Sequence, residues 1–239
     1  MDIKPYFKTE LGELFLGDCL EILPKQTAWA DLIVTDPPYD ISFEGAGSCG
    51  KKYQYRKDEI NAINKFNPLP FLEIALTATR PRPLNFYAFC SRKQVRHYLN
   101  FAEDKKLNYD ILALIKSNPI PAYNNSYMAD MEFIAFLREP GAFFNSKLGY
   151  DYYRKAYMGG VANNNYGHPT QKEEAQVGRY ILVSSREGDT VLDPFSGSGT
   201  TAVVCEKLKR RWVGIEVNEK YAEIAAKRVR AEVDQVKMF

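Results

Sequence analysis

The residues with the clearest chemical potential are Asp36, Pro37, Pro38 and Tyr39, which follow the short apolar run 31–35. A β-branched run of this kind predicts a strand that is buried on both faces, and the prolines end it because neither can donate to a sheet ladder. The Asp36 carboxylate is therefore expected at the carboxyl end of a strand, where open parallel α/β sheets bind ligands. Because proline restricts its own backbone and the preceding residue, this corner should be stiff.

These groups suit the activation of an exocyclic amine on adenine or cytosine, whose nitrogen is a poor nucleophile because its lone pair is delocalised into the ring. The Asp36 carboxylate and the Pro37 carbonyl can hold its hydrogens and favour a tetrahedral nitrogen, while Tyr39 can stack on the base. A turn of the same composition without a catalytic role is the alternative. The tetrapeptide resembles the Asp-Pro-Pro-Tyr motif of amino-type DNA methyltransferases, which implies that it forms the catalytic corner: Asp36, Pro37, Pro38 and Tyr39.

A second pattern, at 190–217, predicts a strand, a glycine-rich turn and a helix, with an acid at the end of the next strand that suits ribose hydroxyls. The turn formally satisfies the dinucleotide fingerprint G-x-G-x-x-A. Asp193 argues against a dinucleotide because it would repel a pyrophosphate, whereas S-adenosylmethionine has an ammonium and a sulfonium and no phosphate. The stretch resembles the family's Asp-Pro-Phe-x-Gly-Ser-Gly-Thr element. That resemblance implies cofactor contacts from its members: Asp193, Phe195, Gly197, Ser198, Gly199, Thr200, Glu216 and Val217.

Two shorter stretches match the same family. Gly17–Leu20 resembles its Gly-Asp-x-Leu element near the cofactor adenine, although Asp18 also suits a helix N-cap. His168–Lys172 matches its His-Pro-Thr-Gln-Lys element at the methionine end of the cofactor, and departs from it afterwards because Glu173 stands where proline is usual. The resemblance implies further cofactor contacts from both elements and from the catalytic carboxylate: Asp18, Cys19, Asp36, His168, Thr170 and Lys172.

Strand-like and helix-like stretches alternate along the chain, which predicts an α/β fold with a doubly wound, mostly parallel sheet. The catalytic motif precedes the cofactor motif, an order that resembles the β group of amino-methyltransferases. The resemblance implies the S-adenosylmethionine-dependent methyltransferase fold with a circularly permuted motif order. We expect a single domain over 1–239, with a catalytic half at about 1–116, a target-recognition insert at about 117–167 and a cofactor half at about 168–239.

Three local predictions concern how the elements connect. The strand ending at Leu16 and the strand before Asp36 are separated by a brief helix, a spacing that suits a parallel pair. Ser91 is expected to cap the helix that follows it. Thr170 and Glu173 are expected to form a capping box at the next helix start.

DNA contacts are expected from two polar segments. The interval 40–66 interleaves cations with aromatics, which favours phosphate contact, although a solvated charge run is an equal alternative. The interval 117–167 is rich in Asn and Tyr, which can bind adenine's major-groove edge and stack, and it lies where the family has its recognition region; an ordinary polar insert is the alternative. The predicted contacts are Lys51, Lys52, Arg56, Lys57, Asn118, Asn124 and Tyr127.

Composition sets limits on these interpretations. The net charge of +2 and pI of 8.2 are below the basic footprint of a nucleic-acid binder, so local clusters must carry DNA binding. No apolar run approaches about 20 residues and the N-terminus has no signal-peptide core, which favours the cytoplasm. The four cysteines show no metal-ligand spacing, so we expect reduced thiols. None follows a proline, which argues against cytosine-C5 chemistry.

The patterns together predict a DNA methyltransferase that flips adenine out of double-stranded DNA and methylates N6 with S-adenosylmethionine, without a metal. Two alternatives stay open, namely cytosine-N4 methylation and a catalytically silent nucleic-acid-binding module of the same fold. The patterns also leave open whether the chain forms a homodimer and whether it works with a restriction partner.

Overall fold

The computed structural model describes residues 4–25, 30–38, 66–78, 83–117, 119, 127–128, 130–159 and 172–236. The strands in this part of the chain are β1 (Phe7–Lys8), β2 (Gly12–Leu16), β3 (Leu32–Thr35), β4 (Asn85–Cys90), β5 (Asn108–Lys116), β6 (Met131–Arg138), β7 (Ala156–Gly159), β8 (Thr190–Asp193) and β9 (Arg211–Glu216). The α-helices are α1 (Cys19–Ile22), α2 (Pro68–Ala78), α3 (Val95–Asp104), α4 (Glu174–Ser184), α5 (Thr200–Leu208) and α6 (Glu219–Val236). Short 3-10 helices occupy Leu23–Lys25 and Tyr150–Tyr153.

The strands that the structure describes form one sheet in the order β1-β2-β9-β8-β3-β4-β6-β5-β7. Strands β2, β9, β8, β3 and β4 run parallel, whereas β6 is antiparallel to both β4 and β5. The predicted α/β fold with a mostly parallel sheet is confirmed. The predicted pairing of β2 with β3 is wrong, because β9 and β8 lie between these two strands. A short connection indicates their direction but cannot reveal strands that enter from far along the chain.

Alternating side chains of the central strands pack against different helices on the two faces of the sheet. Ile33 belongs to a core with α1, α2 and α3, whereas Leu32 and Val34 belong to a core with α4, α5 and α6. Every residue of β3 and β4 is buried. Because burial of one such aliphatic side chain stabilises by roughly 1.5–3 kcal/mol, the strand that leads to Asp36 is firmly anchored.

Two helix starts differ from the sequence predictions. Ser91 does not cap α3, because Gln94 occupies the N-cap position and its Oε1 accepts from the Ser91 amide and hydroxyl, both at 3.1 Å. Glu173 is the N-cap residue of α4, without a side-chain capping bond, so it cannot be the third helical residue of a capping box. Its predicted partner Thr170 lies outside the described residues.

The cysteines that the structure describes agree with the prediction of reduced thiols. Cys19, Cys90 and Cys205 are free and buried, and Cys49 lies outside the described residues. None of the described helices combines the length and the apolar character that crossing a bilayer requires.

Candidate active site

The Asp36 carboxylate follows β3 directly, at the edge of the sheet where β8 and β4 also end. One residue earlier, the Thr35 hydroxyl donates to Asp193 Oδ1 over 2.8 Å. Both of these side chains are buried. The hydrogen bond joins the predicted catalytic motif to the predicted cofactor motif across a separation of 158 residues.

A buried lysine holds the Asp36 carboxylate. Lys172 Nζ lies 3.3 Å from Asp36 Oδ2 and 3.1 Å from Glu132 Oε2, and it stands 4.8 Å from the centroid of the Phe89 ring. Burial lowers the pKa of Lys172, but the two carboxylates outweigh burial and raise this pKa above its ordinary value. A charged ammonium at this position favours the ionised carboxylate, which acts only as a hydrogen-bond acceptor.

Glu132 and Lys116 extend this contact into a row of alternating charges. Lys116 Nζ lies 3.1 Å from Glu132 Oε1. Burial raises the pKa of Glu132, but the ammonium groups of Lys172 and Lys116 lower it to below its ordinary value. The sheet explains the position of Glu132: β6 is antiparallel, so its first residues lie at the edge where β4 and β5 end.

The backbone of the corner is held by Gln94, in the turn after β4. Gln94 Nε2 donates to the Pro38 carbonyl at 3.0 Å, while its Oε1 accepts the two bonds from Ser91. The amide cannot be reversed without placing its oxygen against the carbonyl. Because Gln94 is buried, this contact fixes the direction of the Pro38 carbonyl.

The glycine-rich turn after β8 closes around a second carboxylate. Gly197 N–H donates to Glu216 Oε2 at 2.7 Å, and Asn218 N–H donates to Glu216 Oε1 at 2.8 Å. Gly197 and Gly199 both have positive φ, which glycine adopts without steric cost. A Cβ at Gly199 would also lie 2.8 Å from the Cβ of Ala225. The turn therefore needs glycine at Gly199 for its backbone and for the close approach of α6.

Arg228 of α6 secures the other side of this turn. Its guanidinium donates to the Ser198 carbonyl at 2.7 Å, to Ser198 Oγ at 3.0 Å and to Thr200 Oγ1 at 3.2 Å. A further contact of 3.1 Å reaches Glu174 Oε1. The hydroxyls of the predicted cofactor residues Ser198 and Thr200 therefore bind Arg228 and stabilise the shape of the turn.

The two acids of this region are costly to ionise without a partner. Burial raises the pKa of Asp193 to about 6, although the hydroxyls of Thr201 and Thr35 and the Phe195 amide act against it. Burial also raises the pKa of Glu216. A ligand with cationic groups and hydroxyl donors would compensate this cost, and a pyrophosphate would increase it. These residues therefore fit S-adenosylmethionine better than a dinucleotide.

The remaining described members of the predicted cofactor set lie along the same edge. Asp18 Oδ1 accepts from the Leu20 amide at 2.8 Å and caps α1, and the adjacent Cys19 thiol has its pKa raised to about 12, chiefly by burial. The Phe195 ring packs edge-on against aromatic rings of the catalytic half and anchors the turn. Val217 is largely exposed.

Several predicted site residues lie outside the described residues, so their roles stay predictions: Tyr39, Lys51, Lys52, Arg56, Lys57, Asn118, Asn124, His168 and Thr170. Tyr127 is described and its side chain is fully exposed.

Four residues of the site were not identified from the sequence, namely Thr35, Gln94, Glu132 and Arg228. A polar residue that ends an apolar strand is a usable signal for Thr35, and a polar residue soon after the next strand is a weaker one for Gln94. No local signal points to Glu132 or Arg228. Their positions depend on the direction of β6 and on the packing of α6.

Comparison with known proteins identifies relatives over most of the chain. The model of the DNA methylase family matches residues 30–227. The type II methyltransferase M2.DpnII of Streptococcus pneumoniae is 30% identical, and the match covers 96% of this chain and 93% of that protein. The DNA adenine methyltransferase YhdJ of Escherichia coli (strain K12) is 27% identical, with coverage of 93% and 84%.

Solved structures also match over most of the chain. The crystal structure of the M1.HpyAVI-SAM complex superimposes with a TM-score of 0.70 at 28% identity, and the match covers 91% of this chain and 99% of that chain. The family and the fold class predicted from the motifs are confirmed by these matches. The chain, which carries the predicted catalytic motif and the glycine-rich turn on one edge of its sheet, belongs to the DNA methylase family.

Proposed function

We propose that this protein transfers a methyl group from S-adenosylmethionine to the exocyclic N6 of adenine in double-stranded DNA. The observation that carries the proposal is the placement of Asp36, which Lys172 holds, one residue after Thr35, whose hydroxyl donates to the buried Asp193. This placement brings an acceptor for an amine next to a turn that suits a cationic cofactor. The chain is a DNA methyltransferase that depends on S-adenosylmethionine.

The residues of the catalytic corner would act on the exocyclic amine of adenine. S-adenosylmethionine, when bound, supplies an electrophilic methyl group on its sulfonium. Asp36 and the Pro37 carbonyl would each accept one N–H of the adenine amine, which localises the lone pair on nitrogen. Methyl transfer would form an N–C bond as the C–S bond breaks, and Asp36 or water would take up the N–H proton that is lost. Asp193 and Glu216 would hold the cofactor, and Gln94 would keep the corner in place.

The target base must leave the duplex before it can reach this corner. Extrusion of a base costs a few kcal/mol, which contacts in the active site must offset. Tyr39 is proposed to stack on the extruded base, with Pro38 and its hydrogen bond to Gln94 setting the position of the corner. The carboxylate of Asp36 would then recognise the amine by accepting a hydrogen bond from it.

Adenine is preferred over cytosine as the target. The related protein YhdJ is a DNA adenine methyltransferase by name. The motif of this chain begins with Asp, and its resemblance to the family's motif implies adenine more than cytosine. Cytosine-N4 methylation would use the same corner and is the less favoured candidate.

We further propose that the chain is a single domain with a catalytic half, a recognition insert and a cofactor half at the boundaries given above. The interleaving of β9 and β8 between β2 and β3 supports one domain, because neither half has a complete sheet without the other. The roles of the insert residues and a cytoplasmic location stay predictions, and a homodimer and a restriction partner stay open.

Nucleoside analysis tests the proposed function. The purified protein is incubated with duplex DNA and S-adenosylmethionine, and the digested DNA is analysed by mass spectrometry for methylated nucleosides. We expect N6-methyladenine, and none with Asp36→Ala. Detection of N4-methylcytosine alone would show that the protein is a cytosine-N4 methyltransferase. If the wild type transferred no methyl group to DNA carrying many different sites, the catalytically silent binding module would be favoured.

A further inference from the structure

Four basic residues cluster around the start of α3, close to the catalytic corner. Arg92, Lys93 and Arg96 are exposed and His97 is half-buried. Within the part of the chain that the structure describes, none of the four forms an ion pair with an acid. In a protein with a net charge of only +2, an unneutralised cluster of this size is a local concentration of positive charge.

The cluster lines an open cleft with a volume of about 420 Å³, together with Phe66 and Gln94. Gln94 connects the cleft to the catalytic corner, because its Nε2 is the donor to the Pro38 carbonyl at 3.0 Å. Gln94 therefore supports the corner, while Lys93, next to it in sequence, lines the cleft. The basic cleft and the catalytic corner therefore share Gln94.

The arrangement of charges on α3 does not serve the stability of the helix. Helix dipoles favour acids in the first turn and cations in the last turn. Helix α3 has no acid in its first turn, where Arg96 and His97 lie, and no cation in its last turn, where Glu103 and Asp104 lie. Helix stability therefore does not account for the position of the basic cluster.

We infer that this cleft binds phosphate groups of the DNA strand that carries the target base. The inference rests on the proposed function. A flipped base remains attached to its sugar, so the phosphates on either side of the target must lie within one nucleotide of the corner. Arginine and lysine are the residues that neutralise DNA phosphates, and arginine can contact two phosphate oxygens at once. The cluster offers two arginines and one lysine on exposed positions for this purpose.

The salt dependence of DNA binding tests this inference. We compare the wild type with a variant that carries Arg92→Gln, Lys93→Gln and Arg96→Gln, which leaves Gln94 and the helix intact. Each lost phosphate contact should reduce the slope of log affinity against log salt by about 0.9, so the slope should fall by about two to three. The affinity should weaken uniformly across DNA sequences, since phosphate contacts carry no base information. Calorimetry should give an unchanged affinity for S-adenosylmethionine, which also reports correct folding.

A matched control removes the same number of charges elsewhere. Lys25, Lys209 and Arg211 are exposed cations away from the cleft, and their replacement by Gln should leave the slope nearly unchanged. A second variant, with Arg92→Lys and Arg96→Lys, should keep the wild-type slope because the charges remain.

The inference would be overturned if the first variant had the slope of the wild type, or if the slope of the control fell equally. A loss of S-adenosylmethionine affinity in the first variant would also overturn it, because it would place the cofactor carboxylate in the cleft. Failure of the proposed function has a different result. The wild type would then transfer no methyl group to DNA, whereas the slope of the cleft variant would still fall.

Discussion

Lys172 Nζ lies 3.3 Å from Asp36 Oδ2, and this contact ties the start of the cofactor half to the catalytic corner. The element that contains Lys172 was expected at the methionine end of the cofactor. Its ammonium lies between two carboxylates, Asp36 and Glu132, on the face of the Phe89 ring. The lysine is thus in a position to keep the acceptor carboxylate ionised and oriented.

Replacement of this lysine tests its positioning role. Lys172→Met should slow single-turnover methyl transfer by roughly ten- to a hundredfold, because loss of a charged hydrogen bond costs about 1.5–3 kcal/mol. Lys172→Arg should recover part of the rate, since the charge remains. Lys207→Met, which removes another lysine that is paired with two carboxylates, is the control and should transfer normally. Equal rates in the wild type and Lys172→Met would contradict the role.

Removal of the acceptor itself should separate chemistry from binding. In Asp36→Ala, methyl transfer should collapse while S-adenosylmethionine affinity changes much less, because the carboxylate matters most as the amine becomes tetrahedral. Tyr39→Trp should keep partial activity, whereas Tyr39→Ala should lose base stacking of about 1–3 kcal/mol. Single-turnover rates and both affinities are measured on each variant. Near-normal transfer by Asp36→Ala would remove the catalytic assignment.

The hydrogen bond from Gln94 to Pro38 provides an independent test of the corner. Gln94→Leu keeps most of the volume but removes the donor to the Pro38 carbonyl and the acceptor for Ser91. We expect a lower rate constant for methyl transfer, by about tenfold for one neutral hydrogen bond, with little change in the salt dependence of DNA binding. Gln94→Glu should be at least as slow, since a carboxylate oxygen would replace the amide nitrogen and face the Pro38 carbonyl oxygen. Two acceptors cannot form a hydrogen bond. A wild-type rate in both variants would show that the corner does not depend on this contact.

The raised pKa of Asp193 predicts how cofactor binding depends on pH. A buried carboxyl with a pKa of about 6 takes up a proton as the pH falls through 6, and the neutral form cannot attract a cation. Affinity for S-adenosylmethionine should therefore decrease below about pH 6, and Asp193→Asn should bind weakly at every pH. Glu216→Gln should also bind more weakly, by about 1.5–3 kcal/mol for a charged hydrogen bond. Unchanged affinity in both variants would contradict the assignment of the turn.

The raised pKa of Asp193 affects the stability of the ligand-free protein in the opposite direction, because stability should fall as the pH rises. Because the folded pKa is higher than the ordinary value of about 3.9, the folded protein binds more protons than the unfolded chain between about pH 4 and 6. The contribution of Asp193 to the free energy of unfolding should therefore fall by about 3 kcal/mol as the pH rises through that window. Urea unfolding of the wild type and Asp193→Asn at pH 4 and pH 7 measures it.

The basic segment that the sequence predicted for DNA contact needs its own measurement. Neutralising Lys51, Lys52, Arg56 and Lys57 should flatten the salt dependence of DNA binding and leave site preference alone, because phosphate contacts carry little sequence information. The measurement is the slope of log affinity against log salt. A slope equal to that of the wild type would show that the segment is a solvated charge run.

Local sequence patterns were sufficient for the reactive groups and for the elements that present them. The apolar run before Asp36 has only one stable place, a strand buried on both faces, and the prolines end it there. The turn with Gly197 and Gly199 likewise has a backbone that glycine adopts readily. Such features depend on residues close in sequence, so spacing and residue type specify them.

The assembly of these groups into one site was decided only by tertiary structure. Strand order places Asp193 against Thr35, and the antiparallel direction of β6 places Glu132 beside Lys172. Gln94 reaches Pro38 only because β3 and β4 are neighbours. These contacts come from the packing of strands that are far apart in the chain, and hydrophobic periodicity within a strand is the same whichever neighbour it pairs with.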